Sequence, residues 1–329
     1  MINTNLSICI PTYNRANFIE TTLCSLIIQA KKYNIPIYIS DNSSTDNTLE
    51  ILSRYKNEIY EYIFYRTNSH NIGFDKNLIE VTNMSSSNFC WLFGDDDIIE
   101  DNSIEIILNK IENNEYKLFI LNYSTYDKNL LKKVEDRHIP ILKDKIYFEN
   151  DYNQLLLDLF IYSTFIGSLI VDREKWLIEA KKYSGKNFIQ NTSVFNYIIG
   201  YKALFLSSPL VRNRLGNTTW VNNSFRVWYS EWQDNLKQLN DNYSKSINKF
   251  KKDINEISIR NIFLQRAKKE YNYSVYNEYI KNNNKMSKNR KNIFLIISLI
   301  PVVILKYFYI INLNIKKPQD YKFLLYSLK

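Results

Sequence analysis

The stretch FCWLFGDDDIIEDN, residues 89–102, places three aspartates, Asp95, Asp96 and Asp97, directly behind a run of bulky apolar residues. A short apolar run closed by a glycine reads as a buried strand. The carboxylates then fall just past its carboxyl end, the edge at which open α/β sheets bind ligands. Like charges packed this closely repel, so the arrangement calls for an offsetting cation. In an extended backbone Asp95 and Asp97 point the same way and Asp96 the opposite way. Two carboxylates on one side of a turn suit a hard divalent cation, Mg²⁺ or Mn²⁺, which also bridges phosphate oxygens. The competing reading is a solvated acidic turn that caps the next helix, a task that Asp101 or Asn102 with Glu105 is equally placed to perform.

Outward from this stretch, strands and helices alternate. LSICI (residues 6–10) is a buried strand closed by Pro11, and Ile19, Leu23, Leu26, Ile27 and Ala30 form a helical stripe after it. IPIYIS (35–40) is a second strand ending at Asp41. Asn47 and Glu50 have the spacing of a capping box before a helix carrying Leu49, Leu52 and Tyr55. YIFY (62–65) is a third strand, followed by a helix through Leu78 and Val81. NFCWLF (88–93) is the fourth, with a helix through Ile104, Ile107, Leu108 and Ile111 behind the aspartates, and KLFILNY (117–123) is the fifth. This order predicts an α/β fold, a mostly parallel sheet flanked by helices on both faces. Past Asn122 the pattern loosens into a polar excursion. SLIVD (168–172) returns to strand, helices follow near 174–183 and 188–200, and ALFL (203–206) is a short strand.

Two more loops open onto the edge that carries the aspartates. PTYNR (Pro11–Arg15) follows the first strand and SDNSSTDNT (Ser40–Thr48) the second. Tyr13 can stack on a nucleobase, and Asp41 can accept from a base imino or amino group; a turn tyrosine and a capping aspartate are the plain alternatives. Of the 6 glycines the first is Gly73, so neither early βα turn is a G-x-G-x-x-G loop or a P-loop, and phosphate must be held by metal and side chains.

Taken together, SICIPTYNRANFIETTLCSL, YISDNSSTDNTLEIL, NIGFDKNL and CWLFGDDDII resemble family 2 glycosyltransferases of the GT-A fold, a Rossmann-like nucleotide-diphospho-sugar transferase architecture. The resemblance is closest to the bacterial O-antigen and capsule branch that includes abequosyltransferase-like enzymes. It implies transfer of a sugar from a nucleotide-sugar donor with the help of Mn²⁺ or Mg²⁺. By motif match, Pro11, Thr12, Tyr13 and Arg15 would line the nucleotide site and Asp41 would hold the base. Asn71, Gly73 and Asn77 would face the donor. Asp95 would lie near the ribose and the metal, Asp96 near the donor sugar, and Asp97 would be the principal metal ligand, so that Asp96 and Asp97 carry the catalysis.

One element of the family pattern is missing. Members place an acidic pair on a helix after the sheet, and one of its carboxylates deprotonates the acceptor hydroxyl. Here KYSGKNFIQNTSVFNYII (182–199) contains no acid, and Gln190 and Asn191 stand where the pair would be. Asp172, Glu174, Glu231 and the aspartates themselves are the candidate bases. The 2 histidines, His70 and His138, have no spacing that suggests Ser/His/Asp or Cys/His catalysis. A catalytically inactive nucleotide-sugar-binding or scaffolding member of the same fold is therefore the alternative reading.

Charge is distributed unevenly. The chain carries a net +9, but residues before Lys237 are slightly acidic and those from Lys237 onward strongly basic. The positive charge adjoins the most apolar segment, which points to anionic inner-leaflet lipids and not to nucleic acid. KNNNKMSKNRKN (281–292) leads into IFLIISLIPVVIL (293–305), a thirteen-residue run, apolar but for Ser298, that spans about 20 Å as a helix, short of the roughly 30 Å hydrocarbon core. An interfacial segment is expected, with a lipid-linked saccharide acceptor following from it. The expected organisation is a GT-A domain over 1–218, with a nucleotide-sugar half (1–125) and an acceptor half (126–218), a helical extension over 219–292 and an apolar membrane-associating segment over 293–313. Cys9, Cys24 and Cys90 have no paired spacing, and MINTNLSICI lacks the character of a signal peptide, so the expected location is the cytoplasmic face of a bacterial inner membrane.

Overall fold

The computed structural model describes residues 1–112, 115–183, 188–216, 224–250 and 256–305. These residues form two compact units. The first comprises Met1–Tyr126, Glu135–Arg214 and Gln238–Ser246, and the second Asp127–Val134, Leu215–Lys237 and the chain from Ile247 onward.

The elements of the first unit alternate as the sequence pattern predicts. In order they are β1 (Leu6–Thr12), α1 (Ala16–Tyr33), β2 (Ile37–Asp41), α2 (Thr48–Arg54), β3 (Ile63–Thr67), α3 (Phe74–Met84), β4 (Phe89–Leu92), β5 (Ile98–Ile99), α4 (Ser103–Ile111) and β6 (Leu118–Tyr126). After the short strands β7 (Lys133–Glu135) and β8 (Lys145–Tyr147) come α5 (Tyr152–Leu159), β9 (Leu169–Asp172), α6 (Arg173–Tyr183), α7 (Ile189–Tyr197) and β10 (Ala203–Arg214). The sheet runs β3-β2-β1-β4-β9-β6-β10-β5, with β8 beside β10. β1, β2, β3, β4, β6 and β10 share one direction, while β9, β5 and β8 oppose it. This is the mostly parallel α/β sheet that the alternation implies.

Burial explains the strand compositions. Every residue of β1 and β2 is buried, because helices cover both faces and leave no solvated side for polar alternation. In α1 the stripe Ile19, Leu23, Leu26, Ile27 and Ala30 is buried as its period requires. α3 packs on β1, β2 and α6, whereas α1 packs with α2 and α4.

Two local expectations change. Asn47 stands at the start of α2, but its side chain accepts no capping bond. The preceding Asp46 does the work, accepting from Thr48 N at 3.1 Å with one oxygen and from Ala16 N at 3.0 Å with the other. A carboxylate has lone pairs for both loops, which the amide at 47 does not reach. The strand read from ALFL extends from Ala203 to Arg214, with register shifts on either side of Pro209. Proline has no N–H to continue a ladder, so the strand bulges there and resumes, and the polar residues Arg212–Arg214 hide that resumption from a hydrophobicity pattern.

In the second unit, Phe225, Ile257, Ile262, Tyr271, Tyr276, Ile280, Met286, Phe294 and Ile297 form a buried cluster. Helix Ile259–Ala267 is capped by Ser258, and helix Lys288–Leu299 by Ser287. The second helix stops at Leu299 because Ile300 precedes Pro301, which disfavours helical geometry at the residue before it. Among the described residues no helix is long and apolar enough to cross a membrane. The part of the expected apolar segment beyond Leu305 lies outside the described residues.

Candidate functional site

The carboxyl ends of β1, β2 and β3 lie in one row, with Thr12 beside Asp41 and Asp41 beside Thr67. The loops that follow are knitted together. Asn14 N donates to Ser44 Oγ at 2.8 Å, Thr45 N to Asn14 Oδ1 at 2.8 Å, and Arg15 N to Thr48 Oγ1 at 3.0 Å. Asn14 takes φ 53°, a left-handed conformation that asparagine tolerates. This lacing holds Tyr13 at the rim, 42% exposed, between buried Thr12 and half-buried Arg15. Pro11 is buried within β1.

Arg15 joins this rim to the acidic triplet. Its Nε lies 3.3 Å from Asp95 Oδ1 and its Nη2 3.6 Å from Asp96 Oδ2. Asp97 accepts from Arg214 N at 2.9 Å, and Arg214 Nε donates to Asp96 O at 2.7 Å. Both guanidinium groups approach the ring of Phe18, at 5.5 and 5.1 Å from its centroid. The expectation that Asp96 points away from its neighbours does not hold. Residues 95 and 96 form a turn and not an extended strand, and a Cβ on Gly94 would meet Asp97 Oδ2 at 2.5 Å and Asp96 Oδ1 at 3.2 Å. The carboxylates of Asp96 and Asp97 therefore gather at one glycine.

The helix-capping alternative also fails. The side chain of Asn102 caps nothing in α4, and Ile104 N donates instead to Gln29 Oε1 at 3.0 Å. Glu105 turns outward to Lys32 and Tyr33.

Electrostatics identify the strained centre. Burial, followed by the charge of Asp96, pushes Asp95 up to about 7 against the opposing pull of Arg15. Burial and the neighbouring aspartates likewise raise Asp97 well above the usual carboxylate range. The charges of Arg15 at Asp95 and of Arg214 at Asp97 oppose these shifts without cancelling them. No group of three or more His, Cys, Asp or Glu is arranged to hold a metal among the described residues. Asp95 and Asp97, both held up by burial and like charge, are the pair that would hold a divalent cation needing only one or two protein carboxylates.

Beside the triplet, four asparagines fix the strand ends. Asn42 Nδ2 donates to Asn71 Oδ1 at 2.8 Å, Asn68 Nδ2 to Asn77 Oδ1 at 2.8 Å, and Asn77 Nδ2 to Ser40 O at 2.8 Å. Gly73 opens α3 at φ 86°, and its N–H donates to Asn71 Oδ1 at 2.9 Å. The amide of Asn77 is thus spent inside the protein, where it shapes the rim. Asp41 is fully buried, with Oδ2 accepting from Ser44 N at 3.1 Å and Oδ1 left without a hydrogen-bond partner. Asn42, Asn68 and Arg214 were not legible as site residues. A strand-terminal position in PLVRNR was the one available sign for Arg214.

Two of the candidate bases, Asp172 and Glu174, stand at the other end of the sheet from the triplet. Asp172 pairs in register with Phe89, at the amino end of β4, and Asp95 lies beyond the carboxyl end. Asp172 instead meets Lys117 and accepts from Lys175 N, and Glu174 follows it in the first turn of α6. Glu231 belongs to the second unit, paired with Arg226 at 3.0 Å. Gln190 and Asn191 are buried, with Gln190 Nε2 donating to Thr164 O at 3.0 Å and Asn191 Oδ1 accepting from Ser163 at 2.7 Å. His70 is exposed beside Ser69.

With this geometry in view, the family model described as Glycosyl transferase family 2 matches residues 7–172, half of the chain. The chain belongs to glycosyl transferase family 2. It is similar to abequosyltransferase RfbV of Salmonella typhimurium, at 30% identity over 257 residues, covering 74% of this chain and 76% of that protein. It is also similar to glycosyltransferase GlyA of Streptococcus pneumoniae, at 23% identity over 72% of this chain but only 34% of GlyA. A crystal structure of S. aureus TarS 1-349 shares the fold, with a TM-score of 0.58 at 15% identity over 97% of this chain and 90% of that one. The family 2 domain makes this protein a glycosyltransferase, and its fold is the GT-A architecture that the motifs imply.

Proposed function

We propose that this family 2 glycosyltransferase moves a sugar from a nucleotide-diphosphate donor to a lipid-linked saccharide during assembly of a bacterial surface polysaccharide or lipopolysaccharide. The single observation that carries the reading is Arg15, which ties the nucleotide-side rim to Asp95 and Asp96 across the sheet edge. Tyr13 offers its exposed ring to the base, Asp41 Oδ1 is a buried acceptor with no hydrogen-bond partner at the adjoining strand end, and Pro11 and Thr12 would form the floor. Asn71, Gly73 and Asn77 maintain the adjacent wall. Asp95 and Asp97 would hold Mn²⁺ or Mg²⁺, and Asp96 would face the donor sugar. When bound, such a cation neutralises charge that develops on the departing diphosphate. The acceptor oxygen bonds to the anomeric carbon as the bond to the phosphate oxygen breaks, and the chain's own task is to align the two and exclude water.

The TarS complex with UDP-GlcNAc, whose fold this chain shares with a TM-score of 0.56, supports a nucleotide sugar as donor. Support for a membrane surface comes from helix Lys288–Leu299. Phe294 and Ile297 face the core of its unit, whereas Ile296, Leu299 and Val303 are 60%, 60% and 68% exposed. Lys281, Lys285 and Lys288 precede this apolar face and are exposed. That combination suits an anionic bilayer at the cytoplasmic side of the inner membrane, bound peripherally.

Thermal melting with a panel of UDP-, GDP-, CDP- and dTDP-sugars, with and without Mn²⁺, tests the reading. At least one donor should raise the melting temperature in a Mn²⁺-dependent way, and Asp97→Asn should abolish the Mn²⁺ dependence. No stabilisation by any donor would overturn it. The buried neutral pair Gln190 and Asn191 favours the second reading, a binding-only member. Release of nucleoside diphosphate from a stabilising donor separates the two.

A further inference from the structure

We propose that His138 is the general base that deprotonates the acceptor hydroxyl, with Glu135 as its positioning residue; this rests on glycosyl transfer being the reaction. His138 Nδ1 lies 2.6 Å from Glu135 Oε2. A carboxylate there takes the Nδ1 proton as its hydrogen bond and makes Nε2 the basic nitrogen. The imidazole stacks on Tyr123 at 4.8 Å and 25°, and meets the ring of Tyr162 edge-on at 5.7 Å.

Backbone bonds fix the pair. His138 N donates to Tyr123 O at 2.9 Å, and the next residue, Ile139, exchanges two 2.9 Å bonds with the side chain of Asn122. The strand register then places the pair at the edge that carries the triplet. Tyr123 pairs with Val211, which pairs with Ile99, two residues after Asp97. Tyr126 pairs with Arg214, whose N–H holds Asp97. The Tyr123 phenol is driven well above its ordinary range by burial and then by the charges of Glu135, Tyr162 and Asp97. The His138 side chain is 29% exposed.

Three other carboxylates of this half are engaged elsewhere. Asp144 accepts from Ser207, Asp158 from Lys145 and Tyr147, and Asp172 lies at the opposite edge. Gln190, an amide without basicity, bonds Thr164 O within the same 162–165 turn that packs on His138 and Tyr123. In the step, the acceptor O–H proton passes to His138 Nε2 and the oxygen's electron pair forms the bond to the anomeric carbon. The electron pair of the breaking bond leaves with the nucleoside diphosphate.

The test uses the full chain, Mn²⁺ and the nucleotide sugar that most raises its melting temperature among the UDP-, GDP-, CDP- and dTDP-sugars. Nucleoside diphosphate release, with water as acceptor, is followed from about pH 5 to 9. His138→Gln should lower release by about 10²-fold or more and erase the acidic limb of the profile, while the donor-induced melting shift stays unchanged. Glu135→Gln should lower release by about tenfold, and Glu135→Asp should restore part of it, because the imidazole loses the carboxylate that orients it. His138→Gly should regain release in added imidazole, which a merely structural histidine would not. Release by His138→Gln within about threefold of the parent chain, or loss of the donor-induced shift, overturns the base. Absence of release from the parent chain overturns the transfer reading itself.

Discussion

Asp97 takes a 2.9 Å hydrogen bond from the backbone N–H of Arg214, a residue 117 positions further along the chain. The last carboxylate of the triplet is thus positioned by the last residue of β10, and the two halves of the first unit meet there. The side chain of Arg214 also binds Asp96 O, so the same strand end sets the turn and the charge around it.

Gly94 is the narrowest point of that turn. A methyl group at 94 would press on Asp97 Oδ2 at 2.5 Å, and Asp97 is buried and tied to β10. Gly94→Ala should fold with a modest loss in melting temperature but displace the carboxylate, lowering transfer by about 10²-fold, the scale of a misplacement near 1 Å. Side-by-side melting curves and nucleotide release check this; unaltered release would show that Asp97 has room to move.

Asp95 makes stability depend on pH. Unfolded, it titrates near 3.8, and folded, at about 7, so between these values the native chain holds a proton that the unfolded chain has released. The contribution is complete below about pH 4 and is lost as pH rises through about 7, at most about 4 kcal/mol. The metal-free protein should melt at higher temperature at pH 5.5 than at pH 8. Asp95→Asn should flatten that slope and stabilise the protein at pH 8, a gain in stability at the expense of donor binding. An unchanged slope in the variant would assign the pH dependence to other groups.

Asn77 is a structural keystone with a functional address. Asn77→Ala leaves the Ser40 carbonyl and the Asn68 amide without their buried partner. The expected loss is about 2–4 kcal/mol in urea unfolding, with weaker donor binding because the ends of β2 and β3 loosen together. A loss below about 1 kcal/mol would mean that the amide cluster re-pairs around the gap.

Substitution on the exposed apolar face of helix Lys288–Leu299 should separate vesicle binding from donor binding. Ile296→Glu with Leu299→Glu alters two residues that are 60% exposed and leaves buried Phe294 and Ile297 in place. Flotation with anionic phosphatidylglycerol vesicles should fall by about tenfold or more, with the donor-induced melting shift retained. Equal flotation of the double variant would place membrane contact on another surface.

What the sequence by itself determined is local. Apolar runs of strand length, the helical stripe from Ile19 to Ala30 and the polar strand ends are set by periodicity, which neighbours in the chain fix without help from distant residues. They suffice for an α/β sheet whose first, second and fourth strands end in chemistry. Which carboxylates meet is not local. Asp96 turned towards Asp97 because residues 95 and 96 form a turn closed by Arg214, and Asn77 turned inward because three strand ends needed its amide. Asp172 and Glu174 lay at the wrong edge because β9 runs against β4, a direction that no pattern of hydrophobicity encodes. Hydrogen bonds and ion pairs between residues a hundred positions apart are decided by the packing of the whole sheet, and there the site acquired its charge, its shape and its pairing of His138 with Glu135.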